Sequence, residues 1–99
     1  MRVDISAQAA DDIADIITFT IANFGERQAR EYSDGIYNSF DILGDNPKIG
    51  KSVRVIDDDP NQVRRYIYKS HYVFYEIHED RILVLMLRHV RRQMPENWI

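Results

Sequence analysis

Three alternating runs joined by two very short turns constrain this chain more than anything else in it: Val63-Arg64-Arg65-Tyr66-Ile67-Tyr68, His71-Tyr72-Val73-Phe74-Tyr75-Glu76-Ile77-His78 and Ile82-Leu83-Val84-Leu85-Met86-Leu87-Arg88-His89. Each run is rich in β-branched and aromatic residues, and such short connections make an antiparallel meander the simplest arrangement. All three histidines and four of the six tyrosines fall inside it. Core and site are therefore expected on one sheet.

The N-terminal half has a different period. Arg2-Val3-Asp4-Ile5 alternates like a short strand, and Ser6 stands where a helix N-cap belongs, with acidic residues in the early turns after it. Ala9, Ile13, Ile16, Ile17, Thr20, Ile21 and Phe24 then form one apolar stripe at helical spacing, and Gly25 supplies a helix-ending residue, which predicts a helix over 7–24. A second stripe, Ala29, Tyr32, Ile36, Phe40 and Leu43, stops at Gly44-Asp45-Asn46-Pro47. With little but Gly25 between them, the two helices should pack as an antiparallel hairpin. Gly35 in mid-helix, at a cost of about 1 kcal/mol relative to alanine, is expected to permit close backbone approach. Lys48 to Gln62 reads as loop, with Asp57-Asp58-Asp59 at a solvated tip, and the tail from Arg91 to Ile99 as an appendage. The expectation is an α+β fold of order β-α-α-β-β-β, in which the N-terminal strand and helical hairpin pack on a twisted antiparallel sheet.

A length of 99 residues suits a single domain spanning 1–99. The absence of cysteine excludes disulfides, a thiol nucleophile and thiolate metal sites, and fits a reducing compartment. No basic leader precedes an apolar core, and no apolar run approaches the roughly 18 residues that a bilayer-crossing helix needs. A soluble cytoplasmic protein without a membrane partner is expected. The net charge of −3 argues against nonspecific coating of nucleic acid. That charge is uneven, because residues 1–61 hold six Lys/Arg against twelve Asp/Glu, whereas residues 62–99 hold seven against four. Such a basic sheet either solvates its surface or offers a face to an acidic partner.

Period-two alternation places His71, Val73, Tyr75 and Ile77 on one face of the second run and Tyr72, Phe74, Glu76 and His78 on the other. Both faces of the third run are apolar, so that strand is expected to be central, with Arg88 and His89 emerging at its end. Two readings compete there. In the sharper one, Arg64 or Arg65 with Tyr75, Arg88 and His89 supply a phosphate-holding cation, a phenol and an imidazole, the groups that cleavage of RNA at a 2′-hydroxyl requires. In the plainer one, Tyr75 is core, the arginines are solvated and His89 is held by a carbonyl at a strand terminus. Tyr66, Tyr68, Tyr72 and Phe74 suit base stacking, a partner helix or core filling. His71, His78 and His89 lack ligand-like spacing, and Asp57-Asp58-Asp59 lacks the glycine and distal glutamate of a calcium loop, so no metal is expected. No phosphate loop, zinc pattern or hydrolase elbow is present, and no cofactor is expected.

Taken together, Ala10-Asp11-Asp12-Ile13, Phe24-Gly25, Gln28-Ala29, Tyr32, Asn46-Pro47-x-Ile49-Gly50-Lys51, Arg64-Arg65, His71-x-x-Phe74-Tyr75 and the Leu87-Arg88-His89 strand end resemble the ParE toxins of the RelE/ParE superfamily. The resemblance runs in order over residues 3 to 92 and implies the same β-α-α-β-β-β fold. Members are the toxin halves of toxin-antitoxin pairs that act in plasmid or chromosome maintenance. ParE-like members poison DNA gyrase, whereas RelE-like members cut messenger RNA on the ribosome and tend to be strongly basic. A pI of about 5.5 favours the ParE side. This implies a gyrase inhibitor that acts by binding, with a RelE-like ribosome-dependent endoribonuclease as the alternative and a nontoxic binding module as a third reading.

By position, Arg65 and His89 best match the superfamily's functional sheet residues, with Arg88 close behind. If the chain were a nuclease, Arg65, His89, Arg88 and Tyr75 would be its catalytic groups. As a binder, it would contact antitoxin or target through Arg64, Arg65, Tyr75, Arg88, His89, Arg91 and Arg92. The resemblance implies a hetero-oligomer with a ParD-like antitoxin, and contact with operator DNA only through that antitoxin. The aspartate that commonly follows the histidine in ParE sequences is absent, and Val90-Arg91-Arg92-Gln93-Met94 stands in its place.

Overall fold

In the computed structural model, which describes residues 1–54 and 63–92, strand β1 (Arg2–Ile5) leads into helix α1 (Ala7–Phe24) and, after Gly25, helix α2 (Glu26–Asp45). A 3₁₀ turn (Pro47–Ile49) follows, then β2 (Lys51–Arg54), β3 (Val63–Tyr68), β4 (His71–Ile77) and β5 (Arg81–His89). Asp57-Asp58-Asp59 and the tail from Gln93 onward lie outside the described residues.

The helical half follows its sequence signals closely. Ser6 is extended, and its Oγ accepts the Ala9 amide at 3.0 Å, the N-cap bond that satisfies an otherwise orphaned donor. Gly25 joins the helices at a φ of +90°, a region that penalises any side chain, and donates its amide to the Ile21 carbonyl. Ala9, Ile13, Ile36, Phe40 and Leu43 are buried against the sheet. The α1 stripe overruns that sheet, leaving Phe19, Ile21 and Phe24 exposed by 62, 44 and 59% at the tip of the hairpin. At Gly35 the close approach comes from the ring of Tyr68, which a methyl group would overlap, and not from another backbone.

The sheet has the order β1-β5-β4-β3-β2. It differs from the sequence expectation in three ways. Lys51–Arg54, inside the segment read as loop, pairs antiparallel with β3 as a further strand. Four residues with a register shift and the single apolar Val53 leave no alternation to detect. The sheet is also mixed, since β1 runs parallel to β5, a relation set by the long excursion through the hairpin and by no local pattern. Finally, β4 is the central strand, and β5 lies between it and β1.

The alternation breaks within β5. Ile77 pairs with Ile82 and Tyr75 with Val84, but Phe74 pairs with Met86, so Leu85 is an extra residue on β5. Beyond this bulge every side chain of β5 changes face relative to a straight count. Leu87 therefore joins Ile82, Val84, Val73 and Tyr75 in the helix-facing core.

Helix α1 completes the hydrogen bonding of β5 where β1 ends at Ile5. The Ser6 amide donates to the Val84 carbonyl at 2.9 Å, and Ser6 Oγ donates to the Leu85 carbonyl at 2.6 Å. Asp12 Oδ2 then accepts the Leu87 amide at 3.0 Å. Backbone groups that lack a strand partner are thus met by helix side chains.

Candidate functional site

The bulge has a direct consequence at the far end of the sheet. A straight register from Ile77 and Ile82 would set His71 opposite Arg88; the extra residue sets it opposite His89 instead. The two imidazoles meet edge to face, with centroids 5.3 Å apart. Helix α2 brings Tyr32 to the same place, its hydroxyl 2.6 Å from His71 Nδ1 and its ring 5.1 Å from that of Tyr68. Lys69, at the β3–β4 turn, holds its ammonium within 6 Å of both tyrosine rings.

Burial is the main cause that pushes His71 down to about 4, and the charge of His89 adds to it. The Tyr32 phenol is moved upward, again chiefly by burial, against a lowering by a backbone hydrogen bond from Ser70. The proton therefore stays on the phenol, and the Tyr32 hydroxyl and His71 Nδ1 share a hydrogen bond whose direction is set by the imidazole tautomer. His89 is exposed, and its Nδ1 accepts the Arg91 amide at 3.2 Å.

These groups border a cleft of about 580 Å³. Ile16, Phe19, Thr20 and Phe24 of α1 form one wall, and His71, Leu87, His89 and Arg92 line the other. Asp12, Asp15 and Arg88 also reach it. A second cleft of about 640 Å³ lies between β1 and α2, lined by Val3, Ile5, Tyr37, Phe40 and Asp41, and contains no histidine or arginine.

The residues singled out by sequence do not converge. Tyr75 is fully buried, its hydroxyl donating to the Pro47 carbonyl at 2.7 Å and accepting the Gly50 amide at 2.9 Å. This corrects its place among the contact and acid-base candidates, because a phenol committed to two backbone groups in the core reaches neither solvent nor substrate. Arg64, opposite Tyr75, donates to the Gly50 carbonyl at 2.7 Å and more weakly to that of Lys48, so it too fastens the 3₁₀ turn to the sheet. Arg65 lies on the other face of the sheet, over the Tyr72 ring at 4.4 Å. Arg88 pairs with Tyr72, while His89, Arg91 and Arg92 follow it at the end of β5 and in the turn beyond. Only Arg88, His89 and Arg92 share the cleft.

Of the sheet aromatics, Tyr66 and Tyr68 pack against the helix-side core, which removes them as a free base-stacking surface. His78 is remote from the other histidines and sits 3.1 Å from Glu76. Among the described residues no group of three metal-ligating side chains forms. Nor, among the described residues, is any helix long and apolar enough to cross a membrane.

The sequence family described as "ParE toxin of type II toxin-antitoxin system, parDE" matches residues 3–94. The chain belongs to this ParE toxin family. A solved structure titled "Chromosomal ParDE TA system from P. aeruginosa" superposes with a TM-score of 0.75, covering 92% of this chain and 97% of the other at 17% identity. At that identity the likeness establishes the fold. No curated protein matches the sequence.

In this ParE-family toxin, the groups that sequence reasoning missed are Tyr32 and His71. Tyr32 reads in sequence as one member of a helix stripe and His71 as one member of a strand face. Neither period reveals that an extra residue in β5 aligns His71 with His89.

Proposed function

We propose that this ParE-family toxin inhibits DNA gyrase by binding it, makes and breaks no covalent bond itself, and is neutralised by a ParD-like antitoxin. The family match over residues 3–94 carries this reading. The chemistry of the site supports it, since the phenol that a nuclease would use is buried with both hydrogen-bonding roles filled, and Arg64 is spent on carbonyls. Exposed Phe19 and Phe24 line the same cleft as Arg88 and Arg92 and with them offer apolar and cationic contacts, which suit a partner protein. The antitoxin's folding segment is expected to place acidic residues near Arg65, Arg88 and Arg91 and apolar ones on the helical hairpin. Operator DNA is reached through the antitoxin alone.

The test is induced expression of the chain in a bacterial host, with and without the small open reading frame beside its gene. Growth arrest with a DNA-damage response, relieved by the adjacent frame, is expected. Arrest accompanied by messenger RNA cleavage and no DNA damage would move the assignment to the ribosome-dependent nuclease.

A further inference from the structure

The end of the sheet that borders the His71–His89 cleft is unusual in its charges. Lys69, Arg88, Arg91 and Arg92 gather there, and among the described residues none of them forms an ion pair. The acids of the meander lie elsewhere, with Glu76 held by His78, and with Glu79 and Asp80 at the opposite turn.

The carboxylates that face the cleft come from α1. Asp12 is already committed, Oδ1 accepting from Gln8 Nε2 and Oδ2 from the Leu87 amide, which leaves Asp15 as the uncommitted acid. The other titratable neighbours are Tyr32 from α2 and Tyr68 from β3. With neutral imidazoles the two acids roughly offset Arg88 and Arg92, so a proton on either histidine tips the cleft positive.

Burial makes His71 resist that proton in the free chain. Nδ1 of His71 is occupied by the Tyr32 hydroxyl, and Nδ1 of His89 by the Arg91 amide. A proton on His71 would also place a cation 5.3 Å, ring to ring, from a second imidazole. A carboxylate brought into the cleft offsets both costs.

We propose that this cleft seats a peptide segment in which apolar side chains neighbour carboxylates, and that seating it draws a proton onto the His71–His89 pair. The apolar side chains lie against Phe19, Phe24 and Leu87, and the carboxylate meets His89 and Arg92. The proposal goes beyond the gyrase reading and rests on the section above only in taking the antitoxin as the natural source of such a segment.

The experiment uses the full chain with histidines labelled for NMR and two probes, acetyl-Phe-Glu-Leu-Glu-amide and its glutamine counterpart acetyl-Phe-Gln-Leu-Gln-amide. The acidic peptide should perturb the amides of Phe19, Phe24 and Leu87 and raise the titration midpoint of at least one of the two imidazoles. Its affinity should rise from pH 8 to pH 6 by up to about tenfold per pH unit, the limit that uptake of one proton sets. The glutamine peptide should do neither. His89→Gln, at an exposed position that leaves the Tyr32–His71 contact in place, should reduce the pH dependence, and the double variant His71→Gln with His89→Gln should abolish it. Absence of cleft perturbation, equal binding of the two peptides, or a pH dependence that survives both replacements would overturn the proposal. Gyrase takes no part in this titration, so the function assigned above and the proton-linked cleft can each fail alone.

Discussion

Among single residues, His71 makes the clearest thermodynamic statement. Its value of about 4 lies below the 6.5 of a free imidazole, so between those limits the unfolded chain binds the proton and the folded chain does not. Stability is then full above about pH 6.5 and falls as the pH drops towards 4. Urea titrations at pH 7 and pH 5 should show that loss in the natural chain and a smaller one in His71→Gln. Tyr75→Phe should cost about 1–3 kcal/mol at any pH in this range, because the Pro47 carbonyl and Gly50 amide lose their partner inside the core. Thermal unfolding of that variant checks the structural role assigned to the hydroxyl. Sequence placed Tyr75 on the correct strand and left open whether it was core or site. What distinguished the two was the approach of Pro47–Gly50, a contact some 25 residues away along the chain that no alternation encodes.

At the scale of elements, the helices were legible and the strands only in part. Ser6, the spacing of Ala9, Ile13 and Thr20, and Gly25 are local signals, and they delimit α1 at Ala7–Phe24 as expected. β5 is different, because an apolar run carries no mark of where the extra residue sits. A straight count puts Leu83, Leu85 and Leu87 on one face, whereas the bulge buries Leu87 with Ile82 and Val84 and leaves Leu85 half-buried. Leu87→Ala should therefore cost about 2–5 kcal/mol and Leu85→Ala distinctly less, a difference that paired chemical-denaturation curves resolve. Equal costs would contradict the observed register. The same one-residue shift hid the candidate site, since it moves His71 from Arg88 to His89.

For the whole molecule, Arg88 joins the cleft to the sheet face on which Arg65 lies. Arg65 lies over Tyr72 on the sheet face away from the helices, and Arg88 pairs with Tyr72 on the adjoining strand. Arg65→Glu and Arg88→Glu together should weaken the antitoxin complex by tenfold or more, roughly 1.4 kcal/mol or greater, if an acidic segment lies across them. Unchanged affinity in a calorimetric titration would move the antitoxin to another face. The α+β class and the helical hairpin were visible in the sequence because each rests on local spacing, and the family through the resemblance of its motifs. The mixed sheet, β2 and the histidine pair were not, because each depends on how distant segments return to one another.

The most direct measurement mixes the purified chain with gyrase, ATP and supercoiled plasmid, followed by detergent and protease to release any trapped double-strand break. Linear plasmid that appears only when the chain is present, and disappears when the antitoxin is added, is the expected result for a toxin that stalls gyrase on cleaved DNA. Full supercoiling by active gyrase at every concentration of the chain, with no linear product, would contradict it.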